Sequence, residues 1–429
     1  MSRIADSSMY AHQWGTPELR GVFCELGRLQ GWLDVLGALA RAQAAYGLVP
    51  ADAAARISAL RADQLDLALV GEQTRVTGHS TLGLIRALAP LLPPEVHRHV
   101  YVGATVQDLT DTWTACALRT VVAAVRRDLR ALEGLLLDLA ARHRDTLMAG
   151  RTHGQPGAPV TFGWKAAGLA DEVHRHLVRL REGEPRWLVG QLGGGVGTLA
   201  AHGAVGLQVR ARFCAELGLA DPAISWLTAR DRVAEVGSVL AMVAGTTARL
   251  GNEVYELQRP EIGELRETPT PGVVGSITMP HKVNPERSEH LDTLARLVRA
   301  NAGLLLEGMT GVHERDGRAW KTEWVALPEV CLLTGRATSL AVELVQGLQV
   351  DPERMRANLG EVTSSEQLLV RLTARQGKHE AQQALQEALA GGRTLAEAAR
   401  RLGLPEDSEP DAGLAAAMVD LVLARGRTR

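Results

Sequence analysis

A short segment near the middle of the chain concentrates side chains that could carry out acid–base chemistry. The segment 275–285 reads GSITMPHKVNP. Ser276 could act as a base if its hydroxyl were deprotonated, Lys282 carries a cation, and the Asn284 amide can donate a hydrogen bond to an oxyanion. From the residues alone, a surface loop with incidental polar side chains explains the segment equally well.

The segment resembles the signature loop of the fumarase/aspartase superfamily, GSSxMPxKxNP. Its MPHK form is similar to the adenylosuccinate lyase and 3-carboxy-cis,cis-muconate cycloisomerase branches. Ser276 matches the catalytic serine of the signature, whereas Ile277 stands where a second serine is usual. The resemblance therefore implies that the catalytic hydroxyl is present and that the hydroxyl beside it is lost.

Five further segments resemble blocks of the same superfamily, in the same order along the chain. They are WLDVLGALARAQAAYGLVP at 32–50, GATVQDLTDT at 103–112, RTHGQPGAPVTFG at 151–163, QLGGGVGT at 191–198 and ERDGRAWKTEWVALPE at 314–329. The last of these is similar to a block of the bacterial cycloisomerases, and the tail at 377–388 is similar to the small C-terminal domain of the family. The chain is identified as a member of the superfamily on these blocks.

The resemblance implies a reversible β-elimination or addition on a carboxylated substrate through an aci-carboxylate (enediolate) intermediate. Such an intermediate needs preorganised donors and cations around it. Ser276 would be the general base, which requires that neighbouring donors and charge lower its pKa. His153 would protonate the leaving group, directly or through a relay. The positions implied to bind substrate are Lys282, Asn284, Thr105, Gln107, Thr152, His79, Tyr101, Gln191 and Arg315.

Tyr101 is the main departure from the family pattern, because both branches usually place a histidine at the start of this HxGxT element. A tyrosine donates a hydrogen bond without a positive charge. The change implies an altered leaving group or a less anionic substrate, and packing of Tyr101 against the helices is the alternative. His79 aligns with an element that lines the family's site, although a structural role fits it equally. We expect His174 and His176 to lie at the surface of a helix.

Three functions stay open on the sequence. The resemblance favours a 3-carboxy-cis,cis-muconate cycloisomerase, in which a carboxylate adds to a double bond and forms a lactone. The runner-up is a C–N lyase that releases fumarate from a succinylated amine, as adenylosuccinate lyase does, or one that eliminates nitrite from a nitrosuccinate. A recruited structural protein, as in eye-lens crystallins, is the third, and the retention of Ser276, His153, Lys282 and Asn284 argues against it.

The elements that must position these residues are predicted to be helices. Apolar side chains repeat in alternating steps of four and three residues in two stretches, a pattern typical of helices packed along one face. We call these stretches the two seams; they are Leu118, Val122, Val125, Leu129, Leu132, Leu136 and Leu139, and Val236, Leu240, Val243, Thr247, Leu250, Val254 and Leu257. Together with helical patterns at 163–183, 286–312 and 328–350, they predict five long helices.

The predicted fold is all-α in three parts. They are an N-terminal helical domain at 1–108, a central bundle of the five long helices at 109–350 and a small C-terminal helical domain at 351–429. An aromatic content of only 3% agrees with helix rather than strand. The resemblance implies a homotetramer with a shared helical core, in which blocks from three subunits build each site.

Composition argues against several classes of protein. A formal net charge of −2 gives no electrostatic reason to bind nucleic acid or an anionic membrane. We find no run of about 18 apolar residues and no signal peptide, so we expect a cytoplasmic protein without membrane spans. The four cysteines form no CxxC pair, and no ligand spacing suggests a metal. The glycines at 193–195 lack the context of a nucleotide loop, so we expect no cofactor.

Overall fold

The helical periodicity of the sequence is present in the structure. A computed structural model of the chain describes residues 4–269, 272–279, 281–360, 365–405 and 410–427. The α-helices in these ranges are α1 (Ala11–Trp14), α2 (Pro17–Phe23), α3 (Glu25–Ala44), α4 (Ala51–Ser58), α5 (Leu67–Thr77), α6 (Ser80–Ala87), α7 (Pro94–His97), α8 (Val106–Arg142), α9 (Phe162–Trp187), α10 (Gly206–Glu216), α11 (Asp231–Gln258), α12 (Glu286–Glu307), α13 (Gly317–Gln346), α14 (Pro352–Ala357), α15 (Ser365–Gln376), α16 (Lys378–Leu389), α17 (Leu395–Arg401) and α18 (Ala415–Arg427). The strands are β1 (Leu147–Thr152), β2 (Gln155–Thr161), β3 (Leu265–Glu267) and β4 (Leu348–Val350).

The predicted all-α class is confirmed. The strands within the described ranges form only two short antiparallel pairs, β1 with β2 and β3 with β4. The five predicted long helices are also present, as α8, α9, α11, α12 and α13, with 37, 26, 28, 22 and 30 residues. Every side chain of the two seams is between 0% and 6% exposed. Burial of each leucine or valine contributes roughly 1.5–3 kcal/mol relative to exposure, so the seams hold these helices in place.

Helix α13 begins earlier than the sequence predicted, at Gly317 rather than at 328, and Pro328 lies inside it. In the first turn of a helix the missing N–H of a proline has no cost. Inside a helix the proline removes one backbone hydrogen bond. The neighbouring Ala326 and Val330 are both 0% exposed, so the packing of this stretch outweighs the lost bond.

The chain forms two compact units, each assembled from three separate segments. Unit 1 contains residues 1–127, 177–244 and 294–339, and unit 2 contains residues 128–176, 245–293 and 340–429. Each of the five long helices contributes residues to both units. The predicted three-part division, with boundaries at residues 108 and 350, stays a prediction.

The core of unit 1 lies around α3. Trp32, Leu36 and Leu39 on this helix pack with the start of α8 at Leu109 and with Phe213 of α10, and all five side chains are 7% exposed or less. Gly31 allows this packing, because a Cβ at that position would lie 2.2 Å from the Trp113 ring. The first turns of α8 are therefore fixed firmly in unit 1.

Unit 2 contains both strand pairs and a small C-terminal core. A Cβ on Gly251 of α11 would lie 3.0 Å from the Ser288 carbonyl oxygen of α12, so these two helices approach closely here. In the C-terminal part, Leu368, Leu372, Ala381 and Leu385 of α15 and α16 form a separate buried cluster with α17. These C-terminal helices therefore bury their apolar side chains against one another.

Among the residues that the structure describes, two helices, α11 and α13, are long and apolar enough to cross a membrane by length and composition. However, 67% and 61% of their most apolar windows are buried inside the protein. Core helices meet the same criterion, because a helix that is apolar on most sides packs within a large protein as well as within a bilayer.

Candidate active site

Arg315, Thr105 and Gln107 form a polar cluster in unit 1. The Arg315 guanidinium donates from Nη1 to Thr105 Oγ1 over 2.6 Å and from Nε to Gln107 Oε1 over 3.1 Å. Gln107 is 1% exposed and donates from Nε2 to the Leu227 carbonyl oxygen over 2.8 Å. Three of the residues predicted to bind substrate are thus adjacent. A guanidinium has five N–H groups, so donors remain on Arg315 for an anion.

Tyr101 lies beside this cluster, close enough to Thr105, Asp108 and Arg315 for each of them to affect its pKa. Burial raises the pKa of the Tyr101 hydroxyl above its usual range, the nearby Asp108 carboxylate raises it further, and the Arg315 charge opposes both effects. The hydroxyl is therefore a neutral donor at physiological pH. The backbone of Tyr101 has a φ angle of +68°, which few residues other than glycine adopt. Tyr101 therefore lies in a tight turn that precedes the N-terminus of α8.

Asp108 fixes the backbone beneath the cluster, although it is not among the site residues predicted from the sequence. Its carboxylate is 2% exposed and accepts from the backbone N–H of Thr105 over 2.8 Å and from those of Gly193 and Gly194 over 2.9 Å each. Burial outweighs these donors and raises the pKa of Asp108 to about 6. The glycine-rich segment therefore binds a carboxylate of the protein itself.

Gln191 is fully buried beside Asp108. Its Nε2 donates to Asp108 Oδ1 over 3.1 Å, and its Oε1 accepts from the backbone N–H of Trp226 over 2.8 Å. With 0% exposure, Gln191 supports Asp108, and a direct contact with substrate stays a prediction.

Below the cluster, Arg230 forms a buried ion triad with Asp111 and Glu323. Its Nη1 lies 2.8 Å from Asp111 Oδ2 and its Nε lies 2.8 Å from Glu323 Oε1. All three residues are 6% exposed or less. Asp111 also accepts from Gln107 Nε2 over 3.3 Å, so the triad braces the glutamine that faces Arg315.

His79 lies in unit 1 as the N-cap residue of α6. Its Nδ1 accepts from the backbone N–H of Leu82 over 3.4 Å, and the side chain is exposed. Capping satisfies one helix-terminal N–H, so the structural role accounts for His79 by itself. Its predicted contact with substrate stays a prediction.

In unit 2, His153 lies at the tip of the hairpin that joins β1 to β2. His153 and Gly154 have φ of +53° and +76°, and Thr152 pairs with Gln155 across the two-residue turn. Positive φ at both central residues matches a type I′ turn. Thr152 and His153 are both exposed, so their side chains are accessible to a substrate.

The hairpin is anchored by Arg151, which is also not among the site residues predicted from the sequence. Its guanidinium makes two parallel hydrogen bonds to the Glu264 carboxylate, Nη2 to Oε1 over 2.6 Å and Nη1 to Oε2 over 2.9 Å. Glu264 is 0% exposed and also accepts from Asn358 Nδ2 over 2.8 Å. Two parallel hydrogen bonds between a guanidinium and a carboxylate hold both groups in one orientation. The backbone that leads to His153 is therefore held in place by Arg151.

The signature loop lies in unit 2 and is folded on itself. Ser276 Oγ accepts from the backbone N–H of Met279 over 3.0 Å, and Asn284 Nδ2 donates to the Gly275 carbonyl oxygen over 2.8 Å. A Cβ on Gly275 would lie 2.7 Å from the Lys282 carbonyl oxygen, so the turn requires glycine there. An N–H that donates to a serine oxygen stabilises the alkoxide, which suits a serine that must act as a base.

The loop also exposes apolar side chains. Ile277, in the place of the second serine, is 93% exposed, and Val274 is 66% exposed. The Lys282 side chain is exposed too. Ser276, Lys282 and Asn284 thus lie on one folded loop, whereas Pro280 lies outside the described residues.

The residues predicted from the sequence belong to two groups, one in each unit. Unit 1 holds Tyr101, Thr105, Gln107, Gln191, Arg315 and His79, and unit 2 holds Thr152, His153, Ser276, Lys282 and Asn284. The first group offers cationic and hydroxyl donors for a carboxylate, and the second offers a serine base and an imidazole. Within the described ranges, no three histidine, cysteine, aspartate or glutamate side chains are arranged to hold a metal ion.

The histidines of α9 correct one expectation. His174 and His176 were expected at the surface, but they are only 9% and 3% exposed. His176 Nε2 lies 2.7 Å from Thr246 Oγ1, and His174 Nδ1 lies 3.0 Å from Glu133 Oε1. Helix α9 is thus buried on more than the one apolar face that its leucines define.

Comparison with known proteins identifies the family. A family model described as "Lyase" matches residues 12–300. The chain is 43% identical over 364 residues to a 3-carboxy-cis,cis-muconate cycloisomerase of Pseudomonas aeruginosa, which covers 84% of this chain and 79% of that one. It is 39% identical over 359 residues to an N-acetyl-S-(2-succino)cysteine lyase of Dickeya dadantii, which covers 83% of this chain and 79% of that one.

Among solved structures, the 3-carboxy-cis,cis-muconate lactonizing enzyme from Pseudomonas putida matches with a TM-score of 0.88 and 34% identity. The match covers 98% of this chain and 99% of that one. The likeness thus includes the whole all-α fold as well as the motifs. On these matches the chain belongs to the lyase family, as an enzyme of the fumarase/aspartase superfamily.

Proposed function

We propose that this protein is a cycloisomerase that closes 3-carboxy-cis,cis-muconate into a lactone. A carboxylate oxygen of the substrate bonds to the carbon β to another carboxylate. The electron pair of the double bond between the β carbon and the α carbon moves to the α carbon. The carboxylate attached to the α carbon delocalises this charge, which gives an aci-carboxylate. The α carbon then takes a proton from the Ser276 hydroxyl, and water reprotonates the serine before the next turnover; in the reverse reaction the Ser276 alkoxide removes the same proton. The step is an isomerisation and needs no oxidant or reductant.

The observation that carries the proposal is the hydrogen bond from the Met279 N–H to Ser276 Oγ, at 3.0 Å. A free serine hydroxyl is far too weak an acid to alternate between alkoxide and alcohol at neutral pH. A preorganised N–H donor, with the Lys282 cation six residues along the same loop, favours the alkoxide. The likeness to two cycloisomerases supports the choice of substrate.

We assign the other residues by the charge that each can stabilise. Lys282 and the second Asn284 amide hydrogen would stabilise the aci-carboxylate. Arg315 and Tyr101 would bind a substrate carboxylate that does not react. Both side chains offer hydrogen-bond donors, and the buried Asp108 carboxylate fixes the backbone next to them. His153 would act beside the carboxylate that closes the lactone and that departs in the reverse reaction, and its turn keeps the imidazole accessible.

We further propose a cytoplasmic homotetramer with sites shared between subunits. The long helices expose large apolar side chains that a neighbouring subunit would cover, among them Met242, Tyr255, Leu297, Leu306 and Val325, at 39–63% exposure. All four cysteines are free thiols, which agrees with a reducing compartment. The division of the candidate residues between two units is consistent with such sharing.

The test is the reaction itself. Purified protein supplied with 3-carboxy-cis,cis-muconate should remove the absorbance of the conjugated diene and yield one lactone. N-acetyl-S-(2-succino)cysteine and adenylosuccinate serve as competing substrates, with fumarate as the product to measure. Fumarate release from either, without lactone formation from carboxymuconate, would overturn the proposal.

A further inference from the structure

Unit 1 contains an aromatic cleft that none of the predicted site residues line. It has a volume of about 270 Å³, and Trp32, Trp113, Trp320 and Trp324 contribute to its walls together with Phe23 and Arg28. We call it the tryptophan cleft. Eight tryptophans occur in the whole sequence, so half of them meet at this one cavity.

The walls of the tryptophan cleft have fixed orientations. Trp320 and Trp324 lie one turn apart on α13, with ring centroids 4.9 Å apart and planes at 84°. In the same cleft, Trp113 of α8 meets the edge of Phe23 at 6.0 Å and is held against the backbone of α3. Fixed indole faces at these angles suit a flat, conjugated group better than a flexible chain.

Arg28 supplies the one feature of the cleft that points to an anion. Its guanidinium lies 4.5 Å above the Trp113 ring and is half-buried. In the part of the chain that the structure describes, Arg28 makes no ion pair or hydrogen bond to another side chain. A guanidinium that is partly removed from water and unpaired is costly, and a carboxylate beside it would offset that cost.

The tryptophan cleft adjoins the polar cluster through Asp111. Asp111 lines the cleft, accepts from Trp320 Nε1 over 3.3 Å and accepts from Gln107 over 3.3 Å. Its charge and that of Glu323 are met by Arg230, so the acidic side chains in the wall are already paired. Arg28 is therefore the cation left to attract an anion.

Resting on the proposed function, we infer that the tryptophan cleft is the specificity pocket for the planar arm of the substrate. The conjugated arm lies between the indoles of Trp113 and Trp324, and its terminal carboxylate pairs with Arg28. The carboxylate that does not react then lies toward Arg315 and Tyr101. A sugar phosphate in the same place would meet indole faces and a single cation, so a nucleotide substrate is disfavoured.

The test compares Arg28→Gln and Trp324→Ala with wild type. Arg56 is an exposed arginine of the same unit, so Arg56→Gln is the matched control. Loss of a charge-assisted pair should raise KM for carboxymuconate about 10-fold to 100-fold in Arg28→Gln, with kcat changed less than about 3-fold. Trp324 is 44% exposed, so its truncation should leave the protein folded even if Arg28→Gln does not fold. Its KM should rise about 10-fold.

A second measurement separates this inference from the proposed function. Benzene-1,3,5-tricarboxylate is flat and unreactive, and its binding can be followed by calorimetry whatever the enzyme turns over. Binding that weakens at least about 10-fold in both variants supports the cleft, even if carboxymuconate proves not to be the substrate. Turnover of carboxymuconate with KM and tricarboxylate affinity unchanged in both variants would overturn the inference and leave the proposed function intact.

Discussion

Arg315 Nη1 donates to Thr105 Oγ1 over 2.6 Å, although the two residues are 210 positions apart in the chain. The fork of the guanidinium reaches Thr105 and Gln107 together. A lysine keeps the charge but cannot span both partners. We predict that Arg315→Lys lowers kcat/KM about 10-fold to 100-fold, mostly through KM. Arg318, exposed on the adjacent turn, provides the control: Arg318→Lys should behave as wild type, and equal losses in both variants would contradict the assignment.

The buried triad predicts a large effect on stability. Arg230→Gln leaves the carboxylates of Asp111 and Glu323 without their cation, which should lower the free energy of unfolding by about 3–5 kcal/mol. Arg212 forms an exposed pair with Glu216, and Arg212→Gln should cost less than about 1 kcal/mol. Urea denaturation of both variants measures the difference. A loss below about 1 kcal/mol in Arg230→Gln would show that the triad does not hold α8 to α13.

Asp108 predicts a dependence of stability on pH. Burial raises its pKa from 3.8 to about 6, so between these values the unfolded chain is ionised while the folded chain keeps the proton. Folding therefore binds a proton, and the stability that Asp108 contributes is full below pH 4 and is lost as pH rises to about 6. The loss is roughly 3 kcal/mol. Asp108→Asn, compared with wild type by urea denaturation at pH 4.5 and 7.5, should lack this component. An identical pH dependence in both proteins would contradict it.

We expect Tyr101 to make the enzyme prefer carboxymuconate to adenylosuccinate. A neutral hydroxyl offers a phosphate no charge, so adenylosuccinate should be a poor substrate. Tyr101→His should improve kcat/KM for adenylosuccinate about 10-fold while it lowers kcat/KM for carboxymuconate. Tyr101→Phe separates charge from packing and should weaken carboxymuconate binding only about 3-fold to 10-fold. Efficient turnover of adenylosuccinate by the unmodified protein would refute this role.

Local pattern predicted the long helices well, because a seam of buried side chains every three or four residues leaves few alternatives to a packed helix. Motif matching likewise placed Ser276 and Asn284 in one folded loop, and Thr105 and Gln107 in one cluster. These residues lie close in sequence, so the chain itself keeps them close in space.

The buried residues that hold the site in place, such as Asp108 and Arg230, could not be predicted in the same way. The partner of Asp108 at Gly193 is 85 positions distant, and Arg230 reaches Asp111 across 119 positions. Nothing local marks such pairs, although an aspartate inside the small, apolar stretch GATVQD is a signal that could have identified Asp108. His176 was misplaced because its apolar neighbours define one face of α9, whereas its partner Thr246 lies on α11.

The most direct test of the account is single-turnover kinetics of Ser276→Ala with 3-carboxy-cis,cis-muconate. We predict that kcat falls about 10²-fold to 10⁴-fold while the affinity for substrate changes little, because the variant loses the proton donor and keeps the binding groups. Asn252→Ala, on the exposed side of α11, is the control and should retain full activity. Turnover by Ser276→Ala within about 3-fold of wild type would show that another group moves the proton, and would contradict the assignment of Ser276.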